Sequence, residues 1–316
     1  MTASDIARTA ARKLAAAAAV LLGAATVAFA ALQLIPGDPV TVMLGPFSSA
    51  SPAVRAQITA HFGLGRPVWQ QYPRYLGHLL QGDLGESYQS QQPVLSLIRG
   101  QLWPTVQLAL AALLFALVFA LAVAVATAGR RPALRAVASL VELLTVSTPS
   151  YWIGILLLTA FSFRLRIFPV TGDQGLGALV LPALTLALPM AGVLAQVLRE
   201  GLEAALEQPF TVTARSRGLS VTAVRLRHAL RHAALPLVTL TGWLAGSLLG
   251  GAVLVETVFG RPGIGALMLQ ATTNKDMPLV IGLVLLSALV FVLVSTLVDL
   301  LYLAIDPRLR TDPVTG

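Results

Sequence analysis

Six long apolar runs with few or no charges dominate this chain of 316 residues. A helix rises 1.5 Å per residue, so about 20 apolar residues cross the roughly 30 Å hydrocarbon core of a bilayer. Runs of this kind form helices in lipid, because a helix satisfies its own backbone hydrogen bonds. The pattern predicts an all-α membrane protein with six transmembrane helices and both termini on one side. The predicted spans cover about residues 14–35, 102–128, 137–163, 176–198, 233–257 and 277–303.

The first apolar run has an alternative interpretation as a signal peptide. Arg8, Arg12 and Lys13 precede it, and Ala28-Phe29-Ala30 resembles a cleavage site. Its 22 residues exceed the roughly 7 to 15 residues of a signal-peptide core. We therefore predict an uncleaved spanning helix, which Pro36-Gly37-Asp38-Pro39 ends because two prolines and a glycine cannot continue a helix.

The distribution of Lys and Arg predicts the orientation. With a cytoplasmic N-terminus, 14 of these residues fall on inner segments and 8 on outer ones, which agrees with the positive-inside rule. Residues 36–100 are then extracytoplasmic, and the polar segment 203–235 is cytoplasmic. The net charge of +8 in a chain with 56% apolar residues is therefore attributed to membrane anchoring. No aromatic-interleaved basic patch indicates nucleic acid as a partner.

The extracytoplasmic segment contains one clear helical pattern. Apolar or aromatic residues recur at positions 68, 69, 72, 75, 76, 79 and 80. This spacing predicts a helix over 68–80 with one apolar stripe. The stripe is compatible with three neighbours: the membrane face, a partner protein, or the chain's own spans.

The cytoplasmic segment predicts two helices joined at a corner. Residues 204–217 read as one helix and residues 221–233 as a second; Gly218 suits the left-handed position between them, and Ser220 suits an N-cap. The second helix has residues at helical spacing that predict an apolar side: Ala223, Leu226, Leu230, Ala233 and Leu237. The segment is also rich in arginine: Arg215, Arg217, Arg225, Arg227 and Arg231. Such an element docks on lipid head groups or on a partner protein.

Several residues within the spans have structural interpretations. Gly242, Gly246 and Gly250 recur every four residues, which favours close helix packing within the subunit or with a second one. Pro182 and Pro189 predict a kinked fourth span, with a gating hinge as the lesser alternative. The acidic residues in the spans lie near span ends, where the full cost of a buried charge is avoided, and they do not form a spaced proton relay: Glu142, Glu256 and Asp299.

The chain lacks the motifs of an enzyme or an ATPase. Neither Lys13 nor Lys275 lies in a G-x-x-x-x-G-K-[ST] loop, so ATP is not bound in that way. His228 and His232 are four residues apart, but Ala229 replaces the glutamate of H-E-x-x-H and no third ligand is evident. There is no cysteine and no G-x-S-x-G motif. We expect neither a metal site nor a cofactor, and we expect the energy for any transport to come from a partner.

Six segments of the chain resemble sequence blocks of one family: the inner-membrane permease subunits of ABC importers for dipeptides, oligopeptides and nickel. The likeness covers nearly the whole chain and is greatest to the first of the paired permeases, which has a long external segment after span one. The blocks are Ile35-Pro36-Gly37-Asp38-Pro39, Gly82-Asp83-Leu84-Gly85-Glu86-Ser87, Pro149-Ser150-Tyr151-Trp152-Ile153-Gly154, Phe168-Pro169-Val170-Thr171-Gly172, residues 250–265 and residues 298–310. The resemblance implies a type I ABC importer permease fold.

In that family the segment before the fifth span docks into a cleft on an ATPase subunit. Residues 213–218 are similar to the family's T-A-R-A-K-G, and residues 227–231 with Leu235-Pro236 to its second half. The implied coupling residues are Thr213, Ala214, Arg215, Arg217, Gly218, Leu219, Arg227 and His228. Pro209 departs from the acidic residue common there, so the first coupling helix is expected to begin at or after 209. Val212 replaces the glutamate of the broader importer motif.

The resemblance implies a permease subunit of an ATP-driven importer of di- or oligopeptides in the bacterial inner membrane, forming half of a pathway that works by alternating access. The implied partners are a second homologous permease, two ATP-binding cassette subunits that bind ATP and Mg, and an extracytoplasmic peptide-binding protein. A nickel-chelate importer of the same family is the alternative substrate class. A standalone channel, an ion-coupled transporter or a membrane enzyme would instead purify without such partners.

Overall fold

The computed structural model describes residues 3–34, 40, 52, 55–56, 59, 66–130, 132–172 and 175–305. The regular secondary structure of these residues is helical, apart from one isolated antiparallel bridge between Glu86 and Pro93. The helices are α1 (Ala3–Leu34), α2 (Val68–Leu80), α3 (Val94–Thr127), α4 (Pro132–Ser147), α5 (Ser150–Leu157, continued as a π-helix over Leu158–Arg164), α6 (Gly177–Leu206), α7 (Pro209–Ser216), α8 (Val221–Val224, continued as a π-helix over Arg225–Ala229), α9 (Leu230–Val258), α10 (Ile264–Thr273) and α11 (Met277–Ile305).

In the part of the chain that the structure describes, five helices are long and apolar enough to cross a membrane. The segments that qualify are Ala11–Ala31, Val94–Thr127, Gly177–Leu206, Pro236–Val258 and Met277–Leu300. The α4–α5 pair makes a sixth if it is counted as one span, but it bends by 105°. The third span predicted over 137–163 falls on this pair, which is broken near its middle. Pro149 explains the break, because proline disfavours helical geometry at the preceding Thr148 and has no N–H to donate.

The helix predicted over 68–80 is confirmed, since α2 has the same bounds. Two other expectations lie outside the described residues: the stop at residues 36–39 after the first span, and the end of the last family block at residues 306–310. Helix α6 continues through both Pro182 and Pro189.

The described residues divide into two compact units, one lying within Pro104–Ala266 and Leu293–Gly316, the other within Thr2–Trp103 and Leu267–Val292. The core of the first unit is built on small residues. Ala112, Ala116 and Ala120 recur every four residues on α3 and are fully buried with residues of α5, α6 and α9. Small side chains let helix backbones approach closely, which supports packing in a lipid environment.

Glu142 and Glu256 are buried, with exposures of 4% and 0%, so the expectation that a position near a span end avoids the full cost of a buried charge is wrong for both. Glu142 forms a bidentate pair with Arg199, whose two terminal nitrogens donate to its carboxylate at 2.6 and 2.7 Å. Ser139 accepts a further bond from Arg199 at 3.2 Å. A buried ion pair needs such additional bonds to offset the desolvation of both charges. The pair fixes α4 against α6.

Gly242 and Gly250, two of the three glycines predicted to pack helices, have different environments in α9. A side chain at Gly242 would overlap Val298 of α11, so this glycine supports close helix packing within the chain. Gly250 has open space beside it.

Candidate functional site

The cytoplasmic segment begins with a break after α6. The helix ends at Leu206, Gln208 is extended (φ −72°, ψ 148°), and Pro209 occupies the first turn of α7. The Thr211 hydroxyl lies 2.9 Å from the Leu206 carbonyl oxygen and 2.8 Å from that of Gln208. The single helix predicted over 204–217 is therefore wrong, because the chain is extended at Gln208 and Pro209 starts a new helix. The alternative start at Pro209 is confirmed.

The corner after α7 is closed by backbone hydrogen bonds. Gly218 has φ +84°. Its N–H donates to the Arg215 carbonyl oxygen at 2.9 Å, and the Leu219 N–H donates to the Ala214 carbonyl oxygen at 3.3 Å. These two bonds form a Schellman motif. The Ser220 hydroxyl then accepts from the Ala223 N–H at 3.2 Å and caps the next helix. The left-handed Gly218 and the Ser220 N-cap are both confirmed.

The second half of the segment is the start of the fifth membrane helix. From Val221 the chain stays helical through the π-segment Arg225–Ala229 into α9. A π-turn places more residues in each turn than an α-helix, so α-helical spacing does not hold across it. As a result Ala229 and Ala233 are buried but Leu226 is 47% exposed. The predicted apolar side is therefore wrong in part.

Arg225 faces the protein interior. It is 1% exposed, and its guanidinium donates to the carbonyl oxygen of Val125 at 3.2 Å and to that of Ala128. These carbonyls belong to the C-terminal end of α3, where a cation also interacts favourably with the helix dipole. Burial, and secondarily Arg130, lowers the pKa of Arg225 below its usual value. Arg225 therefore holds the segment in place and does not contribute to its outer surface.

A small apolar cluster completes this support. Its buried members come from α3, α6 and the start of the fifth span: Ala124, Ala128, Leu198, Leu202, Ala205, Ala229 and Ala233. At Gly201 an added Cβ would lie 2.8 Å from the Cβ of Ala233, so α6 and α9 touch through a glycine that the sequence analysis did not single out. Arg135 pairs with Glu203 at 3.1 Å near the same position. Small residues at i and i+4 on facing helices are the sequence signal that could have found this contact.

The predicted coupling residues occupy three kinds of environment. Thr213, Arg215, Arg217, Gly218 and Arg227 are exposed, Leu219 and His228 are half-buried, and Ala214 is buried and supports packing. The predicted coupling residues did not include the apolar part of the surface: Val212 is 67% exposed, and Val221 and Leu226 are close to half exposed. We define the elbow surface as the exposed residues Val212, Thr213, Arg215, Arg217, Val221, Leu226 and Arg227. It combines apolar side chains with three arginines.

The other end of the fifth span has a corner of a different kind, which we call the far corner (residues 256–266). The buried Glu256 carboxylate accepts from the Thr105 hydroxyl at 2.6 Å and from the Ala266 N–H at 2.9 Å. Thr105 in turn accepts from the Ile264 N–H at 2.8 Å. A side chain at Gly263 would overlap Glu256, and a Cβ at Gly265 would lie 2.5 Å from the Val253 Cα. The family block at residues 250–265 therefore folds back onto its own helix.

The family block at residues 82–87 is bonded to Asp276, which is 2% exposed. Its carboxylate accepts from the Ser87 hydroxyl at 2.5 Å and from the N–H groups of Tyr88 at 3.0 Å and Gln89 at 3.4 Å. Burial, and secondarily the charge of Asp276, raises the pKa of Tyr88 to about 12. The block that ends at Ser87 is thereby tied to the start of α11.

Known proteins resemble the chain along almost its full length. Residues 116–311 match the family described as binding-protein-dependent transport system inner membrane component, and residues 6–111 match the N-terminal family of such membrane components. The chain is 36% identical over 291 residues to the glutathione transport system permease protein GsiC of Salmonella paratyphi A, with 92% of this chain and 94% of that protein covered. It is 37% identical over 311 residues to a protein of Brucella abortus provisionally named a peptide transport system permease, with 95% and 98% covered.

A solved structure of the MetNI methionine ABC transporter has a similar fold. The TM-score is 0.53 at 20% identity, and the match covers 67% of this chain and 97% of that chain. The likeness confirms the predicted permease fold.

Family membership determines the class of protein. The chain is a multi-pass component of the bacterial inner membrane and a transport subunit rather than an enzyme. An ATPase and a substrate-binding protein are its implied partners, which excludes a standalone channel or membrane enzyme. With a family match over residues 116–311 and relatives above 35% identity across more than nine-tenths of its length, the chain belongs to the family of inner membrane components of binding-protein-dependent transport systems.

Proposed function

We propose that this permease subunit forms half of the pathway of an ATP-driven importer of di- or oligopeptides. Its relatives include proteins named for glutathione and for peptide transport, which supports peptide-like substrates over the nickel-chelate alternative. Among the described residues no group of three His, Cys, Asp or Glu side chains could hold a metal ion, although a chelated metal would not need one.

Uptake measurements test the substrate class. A strain that lacks this chain is supplied with labelled di- and oligopeptides and, separately, with nickel. We expect peptide uptake to be lost and to return with the wild-type chain. Loss of nickel uptake with unchanged peptide uptake would overturn the peptide proposal while leaving the family unchanged.

We further propose that a second, homologous permease completes the pathway and that two ATPase subunits drive it. Gly250, a small residue beside open space in α9, is available for the backbone of another helix. Purification of the tagged chain in mild detergent is expected to recover a different permease and ATPase subunits in stable proportion. Recovery of the chain only as a homodimer would contradict the proposed pairing.

The elbow surface is our candidate for ATPase coupling. The observation that carries this proposal is that hydrogen bonds fix the corner while its arginines stay exposed. A Schellman motif closes the corner, and Arg225 bonds it to the end of α3. The exposed arginines are Arg215, Arg217 and Arg227. A docked corner of this kind moves with α6 and α9, because it is bonded to the end of one helix and continuous with the other. ATPase closure would therefore open the pathway alternately to each side.

Gly218→Val tests the corner. Valine disfavours a positive φ, and no neighbour lies within 4 Å of a Cβ at this position, so the substitution acts on the backbone alone. We expect normal membrane insertion, ATP hydrolysis uncoupled from uptake, and strongly reduced uptake. Gly218→Asn is the control, since asparagine tolerates the left-handed conformation and should retain most uptake. Normal uptake and normal stimulation of the ATPase in the valine variant would contradict the coupling role.

Charge reversal tests the surface itself. Arg215→Glu and Arg227→Glu are expected to weaken ATPase co-purification and to lower uptake, with a stronger effect at low ionic strength. Arg99→Glu, at an exposed arginine near the start of α3, is the matched control and should leave both unchanged. Equal losses in all three variants would indicate a general charge effect and remove the elbow surface as the docking site.

A further inference from the structure

Helix α2 (Val68–Leu80) is strongly amphipathic. With about 100° of rotation per residue, its polar positions fall in one sector of about 120°. These positions are Gln70, Gln71, Arg74, Gly77 and His78. The rest of the circumference is apolar or aromatic, and the helix contains no acidic residue.

One part of the apolar side packs on α1. The Tyr72 and Tyr75 rings lie 5.2 and 5.5 Å from the ring of Phe29, and the hydroxyls of Tyr72 and Thr26 are 2.7 Å apart. Phe29 itself is 8% exposed. This contact fixes how α2 is rotated about its own axis.

The remaining part of the apolar side has no cover among the described residues. Trp69 is 72% exposed and Leu80 is 89% exposed, at opposite ends of the helix, and Pro73 lies exposed between them. An isolated exposed leucine needs no explanation, but a tryptophan, a proline and a leucine aligned along one helix face do. We define the free stripe as Trp69, Pro73 and Leu80.

The position of α2 indicates what covers this stripe. Thr26 and Phe29 lie in the last two turns of the span Ala11–Ala31, so α2 is attached at the level where that span leaves the hydrocarbon core. Neighbouring residues on α1 are also exposed and apolar, including Val27 at 69%. Both helices therefore expose apolar side chains near the level where the first span leaves the hydrocarbon core. Tryptophan and tyrosine are enriched at this depth of a membrane.

The polar side fits the same environment. Arg74 is exposed in the middle of the polar sector, and exposed Arg66 precedes the helix. Basic side chains here match the phosphates of phospholipid head groups, as in helices that lie in the plane of the interface with the apolar face buried by about 5–10 Å. A helix of 13 residues is about 20 Å long and is too short to span.

We propose that α2 is an interfacial helix, with the free stripe seated among the outer-leaflet phospholipids and Arg74 directed toward the head groups and water. Its position in the interface fixes how deep the first span and the extracytoplasmic segment lie in the membrane. This role is independent of the substrate and of ATPase coupling.

The chain contains no cysteine, so single cysteines can be introduced without a background. We would place a spin label in the full-length protein in phosphatidylethanolamine–phosphatidylglycerol nanodiscs, at Trp69→Cys and Leu80→Cys, with Gln70→Cys and Arg74→Cys as controls on the same helix. The measurement is the collision rate with oxygen, which partitions into lipid, and with a water-soluble nickel complex. We expect a severalfold higher ratio of oxygen to nickel accessibility at 69 and 80 than at 70 and 74.

Two outcomes would overturn the proposal. Nickel accessibility at 69 and 80 equal to that at 74 would mean that the stripe is in water. Low accessibility to both reagents at 69 and 80 would mean that protein covers the stripe, either another segment of the chain or a partner. Because Trp69, Arg74 and Leu80 are exposed, both outcomes can be read from correctly folded protein, which is checked by size-exclusion chromatography.

Discussion

The chain makes a sharp turn at each end of the fifth membrane helix, and the two turns are stabilised in opposite ways. At the elbow the chain turns through backbone hydrogen bonds, and the side chains around the turn are exposed. At the far corner the chain turns around a buried carboxylate, with Glu256, Thr105 and two N–H groups in one closed set of bonds.

Glycine has a different role at each end. Gly218 is needed for its positive φ, and no neighbour lies within 4 Å of a Cβ built on it. Gly263 and Gly265 are needed for space, because Glu256 and the backbone of Val253 occupy the place of a side chain. An exposed turn leaves its side chains available for a partner, whereas a buried turn commits them to the fold. Substitutions at the elbow should therefore affect coupling, and substitutions at the far corner should affect folding.

The largest expected effect is that of Gly265→Ala. A Cβ here would lie 2.5 Å from the Val253 Cα and 2.9 Å from the Ala252 carbonyl carbon, and backbone atoms cannot move aside cheaply. We expect a loss of about 3 kcal/mol, seen as a lower melting temperature of purified protein and a lower membrane level. Gly100→Ala in α3, where nothing lies within 4 Å of an added Cβ, is the control. Equal melting temperatures for both variants would contradict the steric account of the far corner.

Thr105→Val should have the next largest effect. The substitution keeps the shape but leaves the Glu256 carboxylate and the Ile264 N–H each without one partner, at a cost of about 2 kcal/mol. Thr159→Val is the control, because that exposed hydroxyl bonds only to the Ile155 carbonyl of its own helix at 2.8 Å. Thermal unfolding in detergent compares the two, and a loss of stability in the control as large as in Thr105→Val would argue against a special role for the buried set.

Gly218→Val sharpens the contrast from the other side. Forcing a residue with a Cβ into a left-handed conformation costs about 1–2 kcal/mol, so its melting temperature should fall less than that of Gly265→Ala while its uptake falls more. Melting temperature and uptake are measured on the same preparations. A variant that lost stability and uptake in the same proportion as Gly265→Ala would remove the functional distinction between the corners.

Ser220→Ala should have the smallest effect. It removes the N-cap bond to the Ala223 N–H, worth about 1 kcal/mol at most in this exposed position. Ser216→Ala, which loses only a bond to the Val212 carbonyl within α7, is expected to be neutral. Thermal unfolding ranks the pair, and the reverse order would show that the cap does not hold the corner.

Local chemistry explains which parts of the elbow were predictable. Gly218, Ser220 and Pro209 each act on their own backbone, so the left-handed turn, the N-cap and the start of α7 follow from residue type. The orientation of Arg225 did not follow, because it depends on the end of α3 nearly one hundred residues earlier in the chain. The π-segment Arg225–Ala229 was equally hidden, since a shift from α-helical spacing leaves no composition signal.

The far corner shows the same limit. Glu256 and the glycine-rich block could be identified in the sequence. The burial of Glu256, however, depends on Thr105, a residue of α3 with no unusual sequence feature. The break at Pro149 could have been foreseen from proline chemistry alone. The prediction over 137–163 was based on apolar length. Length indicates whether a segment can cross the membrane, but it does not indicate whether the segment is straight.

The uninterrupted helix from Val221 to Val258 has a mechanical consequence. Its 38 residues make a rod about 57 Å long, with the elbow corner at its foot and the far corner at its head. For a rod of that length, a tilt of one degree about the foot displaces the head by about 1 Å, roughly the scale of helix shifts at switching interfaces. If a docked partner rotates the foot, the head moves against α3, where Thr105 makes bonds of 2.6 and 2.8 Å to Glu256 and Ile264.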